Sequence, residues 1–147
     1  MKKQNIQSVL MVDDDRDDFE LIVEAMQQID PDISVQFLDR CEDRHKYEKS
    51  SFDLLLLDIN MPFHDGFTWL RGIRESGKTD LPIVMYTSSA NPANIAKAYH
   101  DGANLYFTKP DSFDELVLGL SIILNVDWND PSSVASCRLH TGALKMG

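Results

Sequence analysis

Four apolar runs in this chain end in polar residues suited to chemistry. Val9–Val12 is followed by Asp13, Asp14 and Asp15, and the leucine run 54–57 by Asp58. Residues 81–86 are followed by Thr87, Ser88 and Ser89, and residues 105–107 lead through Thr108 to Lys109 and Pro110. If these termini meet, several carboxylates share one small space. Two unit charges about 4 Å apart at an effective dielectric of about 20 repel by about 4 kcal/mol, so something must offset them. An oxygen-rich acidic cluster suits a hard cation, and Mg²⁺ is usually held by one or two carboxylates together with waters and phosphate oxygens. Lys109 adds a fixed positive charge and Thr87 a hydroxyl donor. A carboxylate nucleophile flanked by metal, ammonium and hydroxyl is equipped to accept a phosphoryl group, a reaction governed by positioning and charge neutralisation.

The elements that must bring these termini together follow from periodicity. Short apolar runs alternate with amphipathic stretches, the pattern of a doubly wound, five-stranded parallel sheet covered by helices on both faces. Strands are predicted over 8–12, 33–38, 54–57, 81–86 and 105–107. Phe19, Ile22, Val23, Met26 and Ile29 recur at helical spacing, as do Phe67, Leu70 and Ile73, with Gly77 supplying a left-handed terminus. A short polar helix is expected over 41–49. Asn91 before Pro92 reads as an N-cap and first-turn proline, with Gly102 closing that helix. Ser112 with Glu115 forms a capping box before Phe113, Leu116, Val117, Leu120, Ile123 and Leu124. In such a sheet functional residues gather at the carboxyl ends of the strands, where all four polar clusters fall. One domain is expected over residues 6–125, followed by an extension over 126–147 that shows neither helical nor strand period.

Composition narrows the classes. The chain has 147 residues, 43% hydrophobic and 26% charged, and needs only one ordinary globular core. Its 14 basic and 24 acidic residues give a net charge of −10, which opposes non-specific attraction to nucleic acid or anionic lipid and makes proteins the expected partners. No segment has the apolar length of a signal peptide or membrane span. Cys41 and Cys137 fit no zinc motif, so two free thiols in a reducing cytoplasm are expected. The scattered histidines are expected on the surface without metal, and Trp69 and Trp128 in packing or contact roles. Asp15, Asp17 and Asp18 are expected to cap the first helix and complement its dipole.

Taken in order, these residues resemble the receiver domains of response regulators, above all the stand-alone, chemotaxis-type members, over about residues 6–125. The resemblance implies the flavodoxin-like strand order 2-1-3-4-5. It implies that Asp13 and Asp14 hold Mg²⁺ together with Asp58 and the backbone carbonyl of Asn60, in the run Asp58-Ile59-Asn60-Met61-Pro62 with Asp65-Gly66 just after. Asp58 would be the phosphoacceptor, Thr87 the switch hydroxyl, Lys109 the phosphate-binding lysine before a cis Pro110, and Tyr106 either an aromatic switch or simply core. The donor would be a histidine kinase or histidine phosphotransfer protein. The output would be contact with a downstream protein, and a homodimer is possible. On this reading the chain is a signalling module that catalyses only its own phosphoryl transfer and dephosphorylation.

Two rival functions are set beside it. A receiver-like scaffold without phosphate turnover is opposed by the complete set Asp14, Asp58, Thr87 and Lys109. A Mg²⁺-dependent phosphatase with an aspartyl nucleophile commonly has a second acid two residues on. Here that position is Asn60, whose amide cannot act as a general acid.

Overall fold

The computed structural model describes residues 6–39, 51–61, 64–78 and 80–141. Five parallel strands form its sheet: β1 (Ser8–Val12), β2 (Ser34–Leu38), β3 (Leu54–Leu57), β4 (Ile83–Thr87) and β5 (Leu105–Thr108), in the order β2-β1-β3-β4-β5. The expected doubly wound arrangement and strand order are therefore those observed. β4 starts two residues later than the sequence suggested and extends to Thr87. A helix over 41–49 lies outside the described residues. Asn60–Met61 and His64–Asp65 form a small antiparallel pair beside the sheet.

The described helices are α1 (Arg16–Ile29), α2 (Gly66–Glu75), α3 (Pro92–Asp101), α4 (Phe113–Leu124) and α5 (Pro131–Thr141). Their ends carry the signals read from sequence. Asp15 Oδ1 accepts from the Asp17 and Asp18 amides, Asn91 caps α3 ahead of Pro92, and Ser112 Oγ accepts from Glu115 N. Gly102 closes α3 at φ +113°, and Gly77 stands just beyond α2 at φ +97°, the left-handed region in which a Cβ is costly.

Because successive strand residues face opposite sides, the sheet builds two cores. Val9, Met11, Leu54, Leu56, Val84, Tyr86, Leu105 and Phe107 meet α1 and α4 on one face. Leu10, Val12, Leu55, Leu57, Ile83, Met85 and Tyr106 meet α2 and α3 on the other. All four residues of β3 are fully buried, which is why that strand reads as an unbroken apolar run.

Residues 131–141 correct the expectation of an aperiodic tail. Asp130 Oδ1 accepts from Ser132 N at 3.0 Å ahead of Pro131, the same capping device as Asn91-Pro92. Val134, Cys137 and Trp128 pack on the α1/α4 face, and α5 runs beside β5, an edge strand. A covered edge is protected from pairing with another chain. Cys137 is free and buried, and burial raises its thiol pKa. Among the described residues no helix is long and apolar enough to cross a membrane.

At Gly119 α4 packs closely on the sheet. A Cβ there would lie 2.2 Å from Phe107 Cζ, and the ring also packs at 5.4 Å from Tyr86. Gly119→Ala is therefore expected to lower stability by about 1–3 kcal/mol, the usual cost of overpacking a core. The check is a urea midpoint, and an unchanged midpoint would mean that the ring gives way freely.

Candidate functional site

Backbone bonds fix the strand ends against one another before any side chain acts. Asp13 N donates to Leu38 O at 3.1 Å, Asp58 N to Val12 O at 3.0 Å, and Lys109 N to Thr87 O at 2.7 Å. The ladder thus continues one residue past β1, β3 and β5, so their polar termini share one edge of the sheet. The register sets Leu57 opposite Met85 and Thr87 opposite Thr108, which puts Thr87 at the same edge.

Asp13 and Asp58 are buried and Asp14 is exposed, and one carboxylate oxygen from each lies within 4.8 Å of the other two. Lys109 reaches into this group from β5. Its Nζ is 3.0 Å from Asp13 Oδ2, 3.9 Å from Asp58 Oδ2 and 2.6 Å from Asp18 Oδ2, and it lies 5.5 Å from the Tyr86 ring centroid. Burial pushes Asp13 up to about 7, and the Asp58 charge adds to this while Lys109 opposes it. Burial works to lower the Lys109 pKa but is outweighed by the hydrogen bond to Asp18 and the charges of Asp13 and Asp58, so the ammonium is held well above its ordinary range.

The carboxylates outnumber the positive charge that faces them, since the one Lys109 ammonium is shared among Asp13, Asp18 and Asp58. Asp13 Oδ2 is buried and ion-paired with Lys109 at 3.0 Å, but it has no hydrogen-bond donor among the described residues, and a buried polar atom without one is costly. A cation among Asp13, Asp14 and Asp58 would satisfy it, and three hard oxygen donors are the chemistry such an ion takes.

Asn60, expected to offer its carbonyl, is joined to the group through its amide, which donates to Asp58 Oδ1 at 3.3 Å. Asp65 caps α2 by accepting from Thr68 N at 2.8 Å, and Gly66 N donates to Ile59 O at 2.9 Å, so the loop after Asp58 is bound at both ends. Thr87 is wholly buried, and its hydroxyl accepts a long 3.5 Å contact from Ser89 N. Tyr106 is buried too, and its hydroxyl donates to Ser89 O at 2.7 Å. The ring already faces inward.

Two expectations are corrected. No described peptide bond is cis, so Lys109–Pro110 is trans, the form preferred even before proline. Asp18 was expected only to cap α1, whereas its side chain crosses to Lys109. The capping role had already gone to Asp15. No local signal marks this role, because the partner lies 91 residues away in sequence.

The family model of the response regulator receiver domain matches residues 9–121. Among curated proteins, the chain is 32% identical over 116 residues to the response regulator protein GraR of Staphylococcus saprophyticus, covering 78% of this chain and 50% of GraR. Other matched relatives carry names of transcriptional regulators. The chain spans about half the length of the curated relatives it matches. Among solved structures, it resembles the phosphorylated cyanobacterial phytochrome response regulator RcpA with a TM-score of 0.74 at 25% identity, covering 83% of this chain and 94% of that one. It also resembles the Mn²⁺-bound form of response regulator Rcp1, with a TM-score of 0.70 at 26% identity over 80% of this chain and 91% of the other. The strand order, the acidic strand ends and a family match across most of the sequence agree, and the chain belongs to the response regulator receiver domain family of two-component signalling systems.

Proposed function

We propose that this protein is a phosphorylation switch in which Asp58 accepts a phosphoryl group from the phosphohistidine of a histidine kinase or histidine phosphotransfer protein. The observation that carries this reading is the setting of Asp58: a buried carboxylate grouped with Asp13 and Asp14 and faced by the Lys109 ammonium at 3.9 Å. In the transfer, an Asp58 carboxylate oxygen forms a bond to phosphorus as the phosphorus–nitrogen bond to the donor imidazole breaks. Water later attacks the same phosphorus, releasing inorganic phosphate and restoring the carboxylate.

Asp13, Asp14 and Asp58 fit Mg²⁺ in the role of counter-ion, and the Asn60 carbonyl would join them in holding it. When bound, that ion would neutralise charge on the transferring phosphoryl group. The related Rcp1 has been solved with Mn²⁺, which supports a divalent ion. Lys109 would supply the second positive charge, and Thr87, at the same edge of the sheet, would donate its hydroxyl to a phosphoryl oxygen. Movement of Thr87 would reach Tyr106 through Ser89, whose amide faces Thr87 and whose carbonyl accepts from the tyrosine. The surface formed by α3, β5 and α4 would then report the state of Asp58 to a partner protein, a reading supported by the net charge of −10. In this reading residues 126–147 extend the receiver at 6–125, and the protein is a switch rather than an enzyme acting on a separate substrate.

Intact mass after incubation with acetyl phosphate and Mg²⁺ tests the proposal. A single phosphoryl adduct is expected on the wild type, none on Asp58→Ala, and none when EDTA removes the metal. An adduct that persists on Asp58→Ala would overturn the assignment. Absence of an adduct on any protein, together with no binding of beryllofluoride, would favour a scaffold that has lost phosphate chemistry.

A further inference from the structure

Asp18 is absent from the proposed chemistry, yet it makes the shortest contact to Lys109. The ammonium lies 2.6 Å from Asp18, 3.0 Å from Asp13 and 3.9 Å from Asp58. Asp18 sits in the first turn of α1, where Asp15 already serves as cap and bonds the Asp17 and Asp18 amides. The Asp18 carboxylate is thus free of helix capping, and it spans 91 residues of sequence to reach Lys109. Its side chain is 23% exposed, against 17% for Lys109, so the pair is shielded from water without being sealed off.

We propose that Asp18 is a positioning residue that draws Lys109 away from Asp58 and thereby limits how firmly Asp58 takes up and keeps a phosphoryl group. The proposal rests on the reading of Asp58 as phosphoacceptor and adds a control on that same site. A phosphoryl group brings roughly two negative charges and three strong acceptor oxygens. To bond them, Lys109 must loosen its hold on Asp18, and the Asp18 carboxylate also repels the incoming anion across the same space. Both effects weaken the phosphorylated state relative to a site without Asp18. Asp13 does not exert the same restraint, because on the proposed reading its charge is taken up by the cation.

Asp18→Asn removes the charge and keeps the shape and an acceptor oxygen. At saturating Mg²⁺ it is expected to bind beryllofluoride about two- to fivefold more tightly than wild type, the range of one partly exposed ion pair, and to retain its phosphoryl group correspondingly longer. The affinity for Mg²⁺ alone is expected to stay level or fall, since a nearby negative charge has been lost. That opposition of signs separates positioning from a folding defect, which would weaken both ligands together. Asp18→Ser serves as the second variant if the amide does not fold, and Asp18→Glu is expected to restore most of the restraint. An Asp18→Asn protein that binds beryllofluoride as wild type does, or more weakly, would overturn the proposal. If instead wild type gains no phosphoryl group at Asp58, the underlying reading fails and not merely the role of Asp18.

Discussion

Lys109→Met is expected to cost on the order of 3 kcal/mol of folding stability at pH 8 without metal, and to reduce phosphoryl uptake at Asp58 more than tenfold. Methionine keeps most of the apolar stem beside Tyr86, so the change removes chiefly the ammonium. Asp13, Asp18 and Asp58 then lose their shared counter-charge, and breaking a buried charge network from one side typically costs about 3–5 kcal/mol. We take the lower end because Lys109 and Asp18 retain partial contact with water. The effect on uptake follows from the loss of a positive charge aimed at the site where phosphoryl charge gathers.

The same variant has a pH dependence whose sign is fixed. Asp13 ionises near its ordinary 3.8 when unfolded and at about 7 when folded. Between those values the folded state holds the extra proton, so this group's contribution to stability declines as pH rises toward about 7 and its full cost is present above. Lys109 opposes the upward shift, so Lys109→Met extends the costly window upward. The Lys109 pKa is itself raised, and its stabilising charge is therefore fully present at both pH 6 and pH 8. The difference between wild type and variant should be smaller at pH 6 than at pH 8, by about 1 kcal/mol or one pH unit's worth of linkage. Urea unfolding in EDTA at the two pH values measures this. Equal differences at both would show that Asp13 does not respond to Lys109.

Much of this site was legible because each of its parts ends an element whose pattern is strong. The leucine run 54–57 is buried on both faces and delivers Asp58 to the strand terminus. Asp13 and Lys109 follow from β1 and β5 in the same way, and Asn91-Pro92 fixes where α3 begins. What was not legible depended on contacts distant in sequence. Asp18 and Lys109 are separated by 91 residues, and no local pattern marks that pair. Nothing local fixed the inward position of Tyr106 either, since a strand aromatic is equally at home in a core; its partner is a backbone carbonyl on the loop after β4. The α5 helix was missed for a different reason. Its residues Val134 and Cys137 are one turn apart and few, so the periodicity is weak, and tertiary packing against β5 supplies what the helix's own sequence does not. Its cap was visible in Asp130-Pro131 and should have carried more weight than the sparse apolar pattern.

Gly66→Ala is expected to lower stability by about 3 kcal/mol and to impair phosphoryl uptake at least tenfold among the molecules that remain folded. A Cβ on Gly66 would lie 2.1 Å from Asp58 O, 2.9 Å from Asp58 C and 3.0 Å from Ile59 Cα. All three atoms are backbone, so no rotamer change relieves the overlap. Withdrawing the start of α2 would break the bond from Gly66 N to Ile59 O, and pushing Asp58 aside would strain its bond to Val12 O. Overpacking costs about 1–3 kcal/mol where side chains can adjust, and the upper end applies where only backbone can move. Displacement of Asp58 by even about 1 Å is enough to cost a large factor in reaction. Gly77→Ala provides the contrast, because its φ is +97° and nothing lies within 4 Å of the added Cβ. That change strains the backbone at a distance from Asp58 and should lower the urea midpoint while leaving the phosphoryl adduct intact. If Gly66→Ala behaved as Gly77→Ala does, with lower stability but full uptake, the close approach of α2 to Asp58 would matter for packing alone and not for holding the phosphoacceptor in place.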